Sequence, residues 1–88
     1  MNNLQEIASR CIIKCKQEKW KCDWSNGGCY LHLEVSEFIE ALRGKGGNPA
    51  HEAADVLFVL LAMMKENKIS FADTFDYLND EILKGVHY

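Results

Sequence analysis

Glu52-Ala53-Ala54-Asp55-Val56-Leu57-Phe58-Val59-Leu60-Leu61-Ala62-Met63-Met64 is the stretch on which the fold turns. Apolar and polar residues do not alternate in it, so it does not read as a half-buried strand. Asn48-Pro49 lies just upstream, an N-cap followed by proline at the first helical position, and the spacing predicts a helix from Pro49 to about Asn67. From Ala53 to Met64 the one charged side chain is Asp55, which leaves this helix no water-facing side. Such a helix belongs at the centre of the molecule. The other short helices of a small chain do not readily surround it, so a second copy is expected to cover it, as an obligate dimer or a dimer of dimers.

Working outward, Leu31, Val35, Phe38, Ile39 and Leu42 repeat at helical spacing and predict a helix from about Cys29 to Arg43. Gly44-Lys45-Gly46-Gly47 stops it, and Asp23-Trp24-Ser25-Asn26-Gly27-Gly28 before it reads as a turn cluster. Leu4, Ile7, Ala8, Cys11, Ile12 and Cys15 mark a first helix over about Asn3 to Lys19. Downstream, Ser70-Phe71-Ala72-Asp73 has the form of a capping box with Asp in the usual Glu place. Phe71, Phe75, Leu78 and Ile82 then give a fourth helix, expected to close at Gly85. The fold class is all-α, a four-helix bundle-like protomer, and 88 residues are expected to form one domain, 1–88.

Composition narrows the function classes. With 48% apolar and 26% charged residues the chain carries a packed core and is no disordered tail. A net charge of −3 argues against bulk nucleic-acid binding, although Arg10, Lys14, Lys16, Lys19 and Lys21 crowd one end. The longest apolar run, Val56 to Met64, is far short of the roughly 20 residues a membrane span needs. Met1-Asn2-Asn3-Leu4-Gln5-Glu6 lacks the basic and then apolar regions of a signal peptide, so a cytoplasmic location with reduced thiols is expected. Cys11, Cys15, Cys22 and Cys29 have no paired C-x-x-C spacing and read as buried or bystander thiols.

Four acids stand out. Glu34 and Glu37 are three apart in the second helix, and Glu52 and Asp55 repeat that spacing in the third. An antiparallel hairpin of the two helices brings the pairs face to face. Like charges about 4 Å apart repel by roughly 4 kcal/mol at an effective dielectric of 20, so such a cluster calls for a multivalent cation. Asp55, set between Ala54 and Val56, is expected to be buried and to need that cation most. Oxygen ligands select a hard ion, Mg²⁺ with Mn²⁺ as a substitute, and Mg²⁺ commonly completes its shell with phosphate.

Leu33-Glu34-Val35-Ser36-Glu37-Phe38, followed fourteen residues later by Glu52-Ala53-Ala54-Asp55-Val56-Leu57-Phe58, resembles the E-x-x-E and E-x-x-D signature of the MazG-like, all-α nucleoside triphosphate pyrophosphohydrolases. The resemblance covers about Tyr30 to Leu83. It implies Mg²⁺-dependent cleavage between the α and β phosphates of a (deoxy)nucleoside triphosphate, giving monophosphate and pyrophosphate, and a house-cleaning task in the nucleotide pool. It also implies self-association as dimers or tetramers. Under it Glu34, Glu37, Glu52 and Asp55 are the metal ligands, and Glu37 or Glu34 is the general base.

Trp20 and Trp24 precede the second helix, near where the family places base-contacting residues; each either stacks on a nucleobase or caps the core. Lys16 and Lys19 either hold phosphate or form a solvated face. Relatives often carry Lys, Asn and Arg in the last helix, where they meet phosphate, whereas here Asn79 and Lys84 are loose matches and the arginine is missing. The competing reading is a non-catalytic helical dimerisation module with its acids on the surface.

Overall fold

The computed structural model describes residues 4–84, and every regular element in it is helical. In chain order these are α1 (Leu4–Gln17), α2 (Trp24–Leu42), α3 (Pro49–Glu66) and α4 (Phe71–Tyr77), the last continuing as a π-helical stretch, Leu78–Leu83. The all-α class is the one the sequence dictates. The expected helix boundaries at Asn3 and Gly85 lie outside the described residues.

The starts of the helices follow capping chemistry. Asn48 Oδ1 accepts from the backbone N–H groups of Ala50 and His51 at 2.9 and 3.2 Å, with Pro49 in the first turn of α3. Ser70 Oγ accepts from the Asp73 N–H at 3.1 Å and opens α4. For α2 the structure corrects the expected boundary: Asp23 to Gly28 is not a turn cluster. Asp23 is the N-cap, its carboxylate accepting from the Asn26 N–H at 3.4 Å and Asn26 Nδ2 at 2.9 Å, and Trp24 to Gly28 are helical. The cap overrides the poor helix propensity of the two glycines.

Three helices end alike. At the ends of α1, α2 and α3, Lys19, Gly44 and Lys68 take the left-handed conformation with φ of 61°, 78° and 56°. The next residue's N–H then reaches back five positions: Trp20 to the Cys15 carbonyl, Lys45 to Glu40 and Ile69 to Met64, at 2.8 to 2.9 Å. This is the Schellman arrangement, which satisfies the last free carbonyls.

Helix α3 packs against both α1 and α2, which scarcely touch each other. One core cluster joins Ala8 of α1, Leu61 and Met64 of α3 and Phe71 of α4; a second joins Cys15, Cys22 and Ala62. Past Phe71, α4 and its π-helical continuation run on as one helix on which Tyr77 and Leu83 are exposed. Helix α3 is thus the middle element, yet within the protomer its outward side is open: Ala54 is exposed, as are Leu57 at 54% and Leu60 at 40%.

Candidate metal centre and adjoining cavity

Glu34 and Glu37 project from one side of α2, and Glu52 comes from the first turn of α3, across the short Gly-rich loop. The hairpin brings these three together, with one carboxylate oxygen from each within 4.8 Å of the other two. Glu34 and Glu52 are half-buried and Glu37 is exposed. Asp55 stands beside this trio, close enough to act on Glu34. Burial first, and then the charges of Glu37, Asp55 and Glu52, push the Glu34 carboxyl above its ordinary range. The four acids therefore share one field centred on Glu34.

One expectation fails. Asp55 is exposed, not buried among apolar side chains, and lines the cavity between α2 and α3. Asp55 bears on Glu34 through its charge and lies outside the trio whose oxygens converge within 4.8 Å.

Two of the acids, Glu34 and Asp55, border a cavity of about 300 Å³. Gly27, Tyr30 and Glu34 line it from one face of α2, and Asp55, Phe58 and Ala62 line it from α3. Glu34 and Asp55 mark its acidic end. The opposite end is formed where α2 crosses close to α3: a Cβ added to Gly27 would meet Met63 Cγ at 2.7 Å and the Cys22 carbonyl carbon at 3.1 Å. Only a residue without a side chain lets the two helices and the Cys22 backbone meet so closely. Cys15 and Cys22, packed together with Ala62, form the floor there, and burial pushes the Cys22 thiol up to about 11. Seven residues separate Gly27 from Glu34, so the cavity runs about 10 Å along the helices.

Trp20 reaches this cavity because Lys19, in its left-handed conformation, turns the chain back after α1. Its indole meets the Phe58 ring edge-on, with centroids 6.1 Å apart. Trp24, for which a core position is the plainer reading of the sequence, is 78% exposed at the first position of α2. Lys19 serves as the helix terminator, and it and Lys16 are exposed and outside the cavity lining. Asn79 lies on the exposed π-helical stretch, with its Nδ2 donating to Asp80 at 3.2 Å. Lys21, Tyr30 and Phe58 line the cavity without having been singled out from the sequence. Two of them carried a signal: Tyr30 is one turn before Glu34 and Phe58 one turn after Asp55, on the same faces.

The chemistry on offer is a set of hard oxygen donors next to a slot with aromatic walls. Among the described residues no sulfur or imidazole joins the acidic trio, which fits a hard divalent ion. No described helix is long and apolar enough to cross a membrane. The phosphoribosyl-ATP pyrophosphohydrolase family matches residues 17–81, a span that contains α2, α3, all four acids and every cavity-lining residue except Cys15. No curated protein and no solved structure matches the chain.

Proposed function

We propose, from the premise that this chain belongs to the phosphoribosyl-ATP pyrophosphohydrolase family, within the MazG-like all-α superfamily, that it hydrolyses a nucleoside triphosphate to monophosphate and pyrophosphate with Mg²⁺. The observation that carries this reading is the convergence of Glu34, Glu37 and Glu52 within 4.8 Å, with Asp55 alongside, at the end of an aromatic-lined cavity. Glu34, Glu37, Glu52 and Asp55 would hold the ion, with Mn²⁺ able to substitute. Bound there, the ion supplies positive charge against the triphosphate and polarises the phosphorus under attack.

The chain's own residues do the rest. Trp20 and Phe58 give the nucleobase a wall to pack on. Base placement fixes the triphosphate over the acids, so that positioning lowers the barrier before any bond changes. Glu37, the exposed member of the trio, is the carboxylate best placed to meet solvent and to take the proton of the attacking water, with Glu34 as the other candidate base. Pyrophosphate leaves in line.

The family's name raises phosphoribosyl-ATP as a second substrate reading. At about 300 Å³ the cavity stands at the small end of ligand pockets, enough for one ring system, and its floor is closed by Cys15, Cys22 and Ala62. That favours a plain nucleotide over one carrying a second phosphoribosyl group on its base.

A second copy is part of the proposal. Leu57 and Leu60 on α3, with Val35, Ile39 and Leu42 on α2, are the apolar surface to be covered. Light scattering should report a dimer or tetramer at low micromolar concentration; a folded monomer there removes this part.

The activity is tested by pyrophosphate release from a nucleoside triphosphate panel with and without Mg²⁺. Glu37→Gln and Asp55→Asn should abolish turnover while leaving helicity intact, and activity retained in both variants refutes the assignment.

A further inference from the structure

The cavity has two chemically different ends. Glu34 and Asp55 stand at one, and the other, about 10 Å away, is made by Gly27, Cys15, Cys22 and Ala62. If the triphosphate lies over the acids, as the proposed function has it, the base enters lengthwise. The edge farthest from the sugar then faces the thiol end. On a pyrimidine that edge carries the 4-substituent and on a purine the 6-substituent, an oxo group in some bases and an amino group in others.

The groups lining that end are unevenly suited to the two. Lys21, exposed and next in the chain to Cys22, is the one cationic residue among the lining residues; its backbone adjoins this end, its ammonium is within side-chain reach of it, and an ammonium only donates hydrogen bonds. Burial keeps the Cys22 thiol protonated far above neutrality, so it adds a weak S–H donor and no thiolate acceptor. Gly27, Phe58, Val59 and Ala62 bring no polar side chain, and the Tyr30 hydroxyl can donate or accept and does not discriminate. Asp23 and Glu66 act on Cys22 electrostatically but are not part of the lining, and Asp23 is engaged in capping Asn26. An oxo group meets donors at this end, whereas an amino group meets donors and no strong side-chain acceptor.

We propose that Lys21 is a specificity-determining residue that makes the cavity select nucleotides whose base presents an oxo group at its distal edge over those presenting an amino group. The inference rests on the nucleotide reading of the site. The preference expected from one charge-assisted hydrogen bond at a partly open site is about tenfold.

The test compares pairs that differ at that one substituent, inosine against adenosine and uridine against cytidine triphosphates, by kcat/KM for pyrophosphate release. The same pairs as monophosphates are titrated by tryptophan quenching. Wild type should favour the oxo member of each pair about tenfold in both measurements. Lys21→Met should bring the members to within about twofold, Lys21→Arg should keep the preference, and Lys21→Gln, which also accepts, should raise the amino member relative to the oxo member. Equal members in the wild type overturn the proposal. So does a Lys21→Met variant that loses the same factor on all four nucleotides, which marks a phosphate contact instead. No turnover of any nucleotide, with the monophosphate preference intact, counts against the hydrolase reading and not against Lys21.

Discussion

Adjacent glycines in α2 should respond oppositely to the same substitution. A Cβ at Gly27 falls 2.7 Å from Met63 Cγ, 2.9 Å from its sulfur and 3.1 Å from the Cys22 carbonyl carbon, whereas a Cβ at Gly28 has nothing within 4 Å. Gly27→Ala therefore overfills a packed crossing, a cost of about 1 to 3 kcal/mol. It recovers up to about 1 kcal/mol of helix propensity, leaving a net loss of about 1 kcal/mol. Gly28→Ala has the propensity gain alone, about 0.5 to 1 kcal/mol of stabilisation. With about 4 to 8 °C per kcal/mol for a domain of this size, the two melting temperatures should separate by about 10 °C. Thermal melts at one fixed protein concentration, followed by circular dichroism, measure this. Adding Met63→Ala to Gly27→Ala should recover part of the loss, since the Cys22 backbone remains in the way. Two variants shifted in the same direction by similar amounts would refute the close crossing of α2 and α3.

The remaining predictions concern charge, thiols and caps. Without a divalent ion, stability should fall as pH rises from 4.5 through the raised Glu34 value and then level off, because the folded state keeps a proton that the unfolded chain has lost. Urea midpoints across that range check the sign, and a midpoint that rises instead contradicts the shared field. Mg²⁺ at about a hundred times its dissociation constant should add about 2.7 kcal/mol, and Glu34→Gln should reduce that gain; a helical module without a metal site shows no such response. Above pH 9 the buried Cys22 thiol, held at about 11, should cost the fold about 2 kcal/mol, and at neutral pH a thiol reagent should label exposed Cys29 well before Cys15 and Cys22. Mass mapping that finds Cys22 labelled first speaks against the closed floor. Asn48→Ala removes the acceptor that starts α3 and should lower stability by about 1 kcal/mol in urea denaturation.

Much of this was legible in the sequence for reasons that can be named. Asn48-Pro49 and Ser70 are local signals whose capping chemistry needs no tertiary partner, and those helices start where the sequence places them. The two acid pairs were legible because their three-residue spacing fixes a helix face and the short loop fixes an antiparallel hairpin, which brings Glu34, Glu37 and Glu52 together. The start of α2 was hidden by Gly27 and Gly28. The reason for Gly27 is a helix crossing, a property of two segments distant in sequence, whereas a Cβ at Gly28 would meet nothing. The exposure of Asp55 was misjudged because apolar neighbours in the chain were equated with burial in space, while α3 has one covered and one open side in the protomer. Lys19 could not be read as a terminator, since lysine has no preference for left-handed backbone; tertiary packing imposes it. Lys21 reaches the cavity only because of that turn.

The position of α3 between two helices that ignore each other also sets an order of assembly. The inward face of α1, Ala8 and Cys15, has its partners around residues 61 to 64, so it has nothing to dock on until most of the chain has been synthesised. The hairpin of α2 and α3 needs only near neighbours in sequence and closes a six-residue loop, the cheaper and faster event. The acidic cluster is therefore complete on a nascent chain before the aromatic slot beside it exists, and a divalent ion captured at that stage would favour the hairpin onto which the first helix later folds.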